Sequence, residues 1–166
     1  MILIESIVFK SFSMQEKVIT VDPKKTNAQF NAQYVGCVVL TKNNKILLQQ
    51  RSKHCASYPG YLCEFGGKVE EGESPKDTLI RELHEEIGAK VNLENVVSFG
   101  AITESMSQYR ELIYVYFWRD ALGSITGCYE GEARYFDSAS EVLKLPRITD
   151  GLRWLLAQCQ NASLID

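Results

Sequence analysis

Apolar residues crowd first into residues 34–41, where Val35, Cys37, Val38, Val39 and Leu40 follow one another without a charge. A short run of this kind, rich in β-branched residues, predicts a strand buried on both faces. Asn43-Asn44 then marks a tight turn, and residues 46–51 read as the returning strand, with Gln49, Gln50 and Arg51 at its end. The period changes further on. Leu79, Ile80, Leu83 and Ile87 recur at helical spacing, while Glu82, Glu85 and Glu86 collect on another face. Ser74 and Asp77 form a capping-box pair around Pro75, and Gly88 supplies a left-handed stop, so the helix is bounded at both ends. Residues 96–103, 111–119 and 133–136 read as strands, with a loop over 105–110. Ser138 and Glu141 predict a capping box on a short helix. Thr149 starts a last helix that turns Leu152, Leu155, Leu156 and Cys159 inward. Upstream, residues 2–21 alternate loosely, as two strands joined near 13–16 would, and residues 23–27 read as a turn or linker. Strands interrupted by one long helix and closed by another predict an α/β sandwich with a mixed sheet.

At 166 residues and 45% apolar, the chain suffices for one well-buried domain. No apolar run approaches the length of a membrane span, and the first residues lack the basic and apolar segments of a signal peptide. A cytoplasmic setting is the default expectation. The five cysteines, Cys37, Cys55, Cys63, Cys128 and Cys159, are odd in number and scattered, which fits reduced, mostly buried thiols. His54 with Cys55 and Cys63 lacks the regular spacing of a metal site, and His84 reads as a packing or solvent-facing residue. The formal charge is −3, and seven acidic residues against three basic ones fall within residues 67–89. Acidity is therefore local, and no basic stripe suits a nucleic-acid track.

Like charges four apart, as at Glu82 and Glu86, destabilise an isolated helix, and an arriving cation relieves that repulsion. Clustered carboxylates suit a hard divalent ion, Mg2+ first and Mn2+ as the alternative. The spacing around them is specific. Gly67 is followed after five residues by Glu73, then after seven by Arg81-Glu82-Leu83, then by Glu85-Glu86, Gly88 and Ala89. This stretch resembles the Nudix box, with a weaker likeness extending over about residues 34–158. Phe65 stands where many members have proline. Within the family the likeness is greatest to the MutT-type branch that cleaves nucleoside triphosphates. It implies an α/β/α sandwich with a mixed central sheet, spanning residues 34–166. Residues 1–33 then form an N-terminal β-hairpin extension, compatible with an edge addition, a homodimer surface or a lid.

Gly66-Gly67-Lys68 lacks the spacing of a phosphate-binding P-loop, and Val69 occupies the place of its hydroxyl residue. The resemblance instead implies that a carbonyl of Gly66 or Gly67 joins Glu82, Glu85 and Glu86 as metal ligands, and that Glu73 and Arg81 tie loop to helix. It also places an additional catalytic or metal-binding glutamate at Glu130, with Glu132 as its rival. Arg51 is matched to a phosphate-contacting arginine, as a bidentate guanidinium suits. Asp150 is matched to a base contact, a helix cap being the other reading of that residue. The ADP-ribose branch's proline is replaced by Glu104, and Ser107 stands where the dinucleoside-polyphosphate branch has tyrosine. The expected activity is Mg2+-dependent hydrolysis of a small nucleotide, most simply a triphosphate to monophosphate and pyrophosphate, with guanine-type bases favoured through Asp150. A nucleotide-sensing domain without turnover, or a hydrolase of dinucleotides or nucleotide sugars, is the alternative.

Overall fold

The structure, a computed structural model, describes residues 17–26 and 29–166. The first strand expected upstream, and Asn27 of the expected linker, lie outside the described residues. Among the described residues, seven strands form one mixed sheet: β1 (Val18–Val21), β2 (Ala32–Leu40), β3 (Ile46–Gln50), β4 (Leu62–Cys63), β5 (Val96–Glu104), β6 (Glu111–Arg119) and β7 (Glu132–Phe136). Their order is β1-β5-β6-β2-β3-β4, and β7 pairs with β3. Central strands β2 and β6 run parallel, from Ala32 beside Glu111 to Leu40 beside Arg119. The other strand pairs are antiparallel.

Period two divides the core. Val38, Leu40, Ile46, Leu48, Val115 and Phe117 face α2 (Ala139–Leu143) and α3 (Asp150–Asn161), whose Val142, Leu152, Leu155, Leu156 and Cys159 close that layer. Val35, Cys37, Val39, Leu47, Tyr116 and Trp118 face α1 (Pro75–Ile87) through Leu79, Leu83 and Ile87. The result is an α/β/α sandwich, in agreement with the reading of the sequence.

Three details differ from the sequence reading. Ile80 is 36% exposed, and Thr78, fully buried, takes the inward place beside Leu79 because its hydroxyl finds Glu73 Oε2 at 2.8 Å. Ser138 caps α2 by position without a side-chain bond. Glu141 accepts instead from the Asp137 N–H at 2.9 Å, while the Ser138 hydroxyl meets that of Ser140, so the expected capping box is not closed. Strand β2 begins at Ala32, two residues ahead of the expected domain start. Strand β1 joins the main sheet by pairing with β5, from Val18 opposite Glu104 to Val21 opposite Ala101.

Candidate active site

The site forms where a loop lies on β2 and meets α1. Backbone bonds from Val35 N–H to Gly67 O, Cys37 N–H to Phe65 O and Val69 N–H to Gln33 O lay residues 65–69 along the strand like an extra rung. Gly66 falls between these bonds and aims its N–H the other way, at Glu86 Oε2, 2.8 Å away. Only glycine serves here. Its φ is 143°, and an added Cβ would strike the Val35 carbonyl. A Cβ at Gly67 would strike the Glu82 carboxylate, so helix and loop touch without side-chain spacers. Gly67 O is engaged by Val35, whereas no donor reaches Gly66 O among the described residues.

Helix α1 delivers the carboxylates at fixed heights because both its ends are set. Ser74 and Asp77 close the capping box, and Gly88 at φ 66° bonds back to His84 O. Arg81 is the clamp between loop and helix. Its Nε and Nη2 hold Glu73 at 2.8 and 3.0 Å, and Nη2 also donates to Lys68 O. These bonds to Arg81 draw the Glu73 carboxyl down to about 2. Nη1 reaches Glu82 at 2.7 Å and Glu85 at 3.3 Å.

Glu86 does not stand on an outer ridge, as the helical spacing suggested. It is 4% exposed and turned under the loop, where Oε1 accepts from Gln49 Nε2 at 2.9 Å and Oε2 from Gly66. Burial pushes its carboxyl up to about 8; the two donors offset part of that, and the charges of Glu130 and Glu82 add to it. Glu82 is raised mainly by burial, against the opposing pull of Arg81. Gln49 also donates to Glu130 O, and Tyr129 N–H bonds to Glu86 O, so the loop carrying Glu130 is fastened to the C-terminal end of α1. Glu132, by contrast, begins β7 opposite Gln50 and lines a neighbouring basin with Arg51, Lys53 and Arg134.

A cavity of about 700 Å³ opens beside these groups. Its lining includes Gly66, Gly67, Glu82, Glu130 and Arg51 together with Tyr34, Tyr58, Glu64, Glu104 and Glu111. Arg51 donates through Nε to Ser57 O. Asp150 is not among the lining residues. Its Oδ2 accepts from the Ser105 hydroxyl at 3.0 Å, and its Oδ1 lies 3.5 Å from Lys17 Nζ. Glu104 lines the cavity and is 3% exposed, with Oε2 held by Gly151 N–H at 2.6 Å. Burial, then the nearby charge of Glu64, lifts it to about 7. Glu85 is exposed and does not line the cavity.

The donor set suits a hard divalent cation: hydroxyl-free carboxylates at Glu82, Glu85, Glu86 and Glu130, and the carbonyl of Gly66. Among the described residues no three His, Cys, Asp or Glu side chains are gathered closely enough to hold one, since Arg81 draws Glu82 and Glu85 while Gln49 and Gly66 hold Glu86. The mutual repulsion of Glu82, Glu86 and Glu130 is the observation that fits a cation to this place.

The profile described as the NUDIX domain matches residues 31–158. The chain belongs to the Nudix family. Relatives include the CTP pyrophosphohydrolase of Escherichia coli (strain K12), 33% identical over 119 residues that make up 68% of this chain and 80% of that protein. The 8-oxo-dGTP diphosphatase of Proteus vulgaris is 44% identical over 55 residues, 32% of this chain and 47% of that one. The match to Nudix hydrolase 3 of Caenorhabditis elegans, 40% identical over 66 residues, spans 40% of this chain and 27% of that protein. The chain thus covers less than half of the latter two relatives. Among solved structures, the MutT protein from Methanosarcina mazei Go1 superposes with a TM-score of 0.60 at 18% identity, covering 83% of this chain and 99% of that one. At that identity the likeness is one of fold, and it bears out the MutT-like architecture.

Three residues of this Nudix site escaped the sequence reading. Gln49 carries a signal in retrospect, being a glutamine in a strand whose preceding residues, Ile46, Leu47 and Leu48, are all buried. Glu64 and Glu104 gave none beyond sitting next to apolar residues, because what matters is that they meet across the start of α3.

Proposed function

We propose that this domain is a divalent-metal-dependent pyrophosphohydrolase that cleaves a nucleoside triphosphate to the monophosphate and pyrophosphate. The observation that carries the reading is one cavity whose lining combines carboxylates and the Gly66-Gly67 loop with Tyr34 and Tyr58. Such a lining suits a ligand that joins charged phosphates to a flat base. The activities for which the two bacterial relatives are named, on CTP and on 8-oxo-dGTP, support the class.

Glu82, Glu85, Glu86, Glu130 and the Gly66 carbonyl would hold Mg2+, or Mn2+, with the Gly67 carbonyl less available because Val35 engages it. When bound, the ion neutralises phosphate oxygens and lowers the pKa of water. The chain's own groups do the rest. Arg51 steadies a phosphate, and Glu130 takes the proton of the attacking water as the new P–O bond forms and the bond to the leaving pyrophosphate breaks. Gln49 keeps Glu86 and the Glu130 loop in register.

The test is a screen of canonical and oxidised nucleoside triphosphates, dinucleoside polyphosphates and nucleotide sugars, with Mg2+ and with excess chelator, reading pyrophosphate and phosphate. Pyrophosphate release from a triphosphate, abolished by chelator, is the expected result. Equal rates in chelator overturn the metal reading, and tight binding without turnover favours a sensor.

A further inference from the structure

Glu104 is a buried carboxylate to which hydrolysis assigns no task, and it stands in the cavity. One of its oxygens is fixed by Gly151 N–H, and no donor among the described residues reaches the other. Glu64 meets it there. A Cβ built on Gly151 would lie 3.1 Å from Glu104 Oε2 and 3.5 Å from Glu64 Oε1, so the two carboxylates converge over a residue that has no side chain. The Thr149 hydroxyl donates to the other Glu64 oxygen at 3.3 Å. Tyr34 and Tyr58 supply flat walls beside this pair.

We infer that Glu104, rather than Asp150, is the carboxylate that reads the base of the nucleotide, and that with Glu64 it selects rings bearing two adjacent N–H donors, the guanine type. The inference rests on the nucleotide reading of the same cavity. Once ionised, as Glu104 is above about 7, a carboxylate only accepts hydrogen bonds. Guanine turns its ring N–H and its amino group toward one edge, which matches paired acceptors. Adenine and cytosine set a ring-nitrogen lone pair beside their amino group, and uracil flanks its one N–H with two carbonyls, so each brings a lone pair against a carboxylate. Asp150 is already engaged by Ser105 and Lys17 and lies outside the cavity lining, which leaves Glu104 as the carboxylate near the start of α3 with an oxygen to offer.

The experiment measures binding, by calorimetry with Mg2+, of the α,β-methylene analogues of GTP, ITP, ATP and CTP. ITP lacks only the amino group. Wild-type protein should bind the GTP analogue about tenfold to a hundredfold more tightly than the other three, as losing a bond to a buried charged acceptor implies. Glu104→Gln should compress that preference to within about threefold, weakening the GTP analogue and tightening the ATP analogue, whose ring nitrogen then meets an amide N–H. Should that variant melt well below the wild type, Gly151→Ala serves in its place, since alanine suits a helix and its methyl would press on the Glu104 carboxylate. It should compress the preference in the same way. Equal binding of the GTP and ITP analogues by wild type, an intact preference in both variants, or its loss in Asp150→Asn alone would overturn the inference. Absence of binding by all four overturns the nucleotide reading and this inference with it. Preferential binding of the GTP analogue by a protein that releases no pyrophosphate from GTP itself leaves the role of Glu104 standing and removes the hydrolase.

Discussion

Glu86 concentrates the chemistry of the site in one side chain, because it is buried, shared between Gln49 and Gly66, and held up to about 8. Glu86→Gln should lower turnover at least about a hundredfold, as loss of a charged ligand does. The metal-free variant should still fold but melt below wild type, since its amide N–H2 must face the Gln49 or the Gly66 N–H donor. Steady-state rates and calorimetric melting check the two halves. Glu104 should be visible in stability against pH. Its folded pKa of about 7 lies above the ordinary 4.5, so its contribution is fully present below about 4.5 and is lost as pH rises through about 7. Urea midpoints of metal-free protein should therefore fall over that window, and Glu104→Gln should flatten part of the fall; a midpoint rising from pH 5 to 8 equally in both proteins would contradict it. The sequence could not show this. It offers Asp150 at a helix start and gives Glu104, at the end of a distant strand, no role; only the bonds of Asp150 to Ser105 and Lys17 and the place of Glu104 in the cavity lining separate a tethered carboxylate from one facing the cavity.

Helix α1 is the element most fully legible in the chain, since its start, stop and inward face follow from Ser74, Pro75, Asp77, Gly88, Leu79, Leu83 and Ile87. Such signals are local, and local signals survive into the fold. Ser74→Ala should cost about 1 kcal/mol, read from denaturant unfolding, because the Asp77 N–H loses its acceptor. The burial of Glu86 was not legible from helical spacing, because the helix wheel does not contain the loop that covers it. The capping pattern at Ser138 failed for a related reason. Glu141 is within reach of the Asp137 N–H, one residue before the cap, and bonds there.

For the molecule as a whole, the order of strands in the chain predicts layers but not neighbours. Residues 18–21 are readable as a strand, yet their partner, β5, comes from beyond the box helix. We infer that β1 is an edge addition to a self-sufficient domain, so that residues 1–26 can be removed from it. A chain lacking them should fold and keep its pyrophosphohydrolase activity within about threefold, but melt about 3–8 °C lower, as β5 loses its outer rungs and becomes an open edge. Calorimetry and the pyrophosphate assay would decide it. The parallel pairing of β2 with β6 also bears on time. The most apolar strand of the sheet is made early in synthesis, but its long central partner follows only after β3, β4, α1 and β5. Pairing of such distant segments is slow, on the order of milliseconds to seconds. On the ribosome, β2 must therefore wait, with one backbone edge unfilled, until the chain has been written through Arg119, and its refolding in dilute solution should be limited by that same closure.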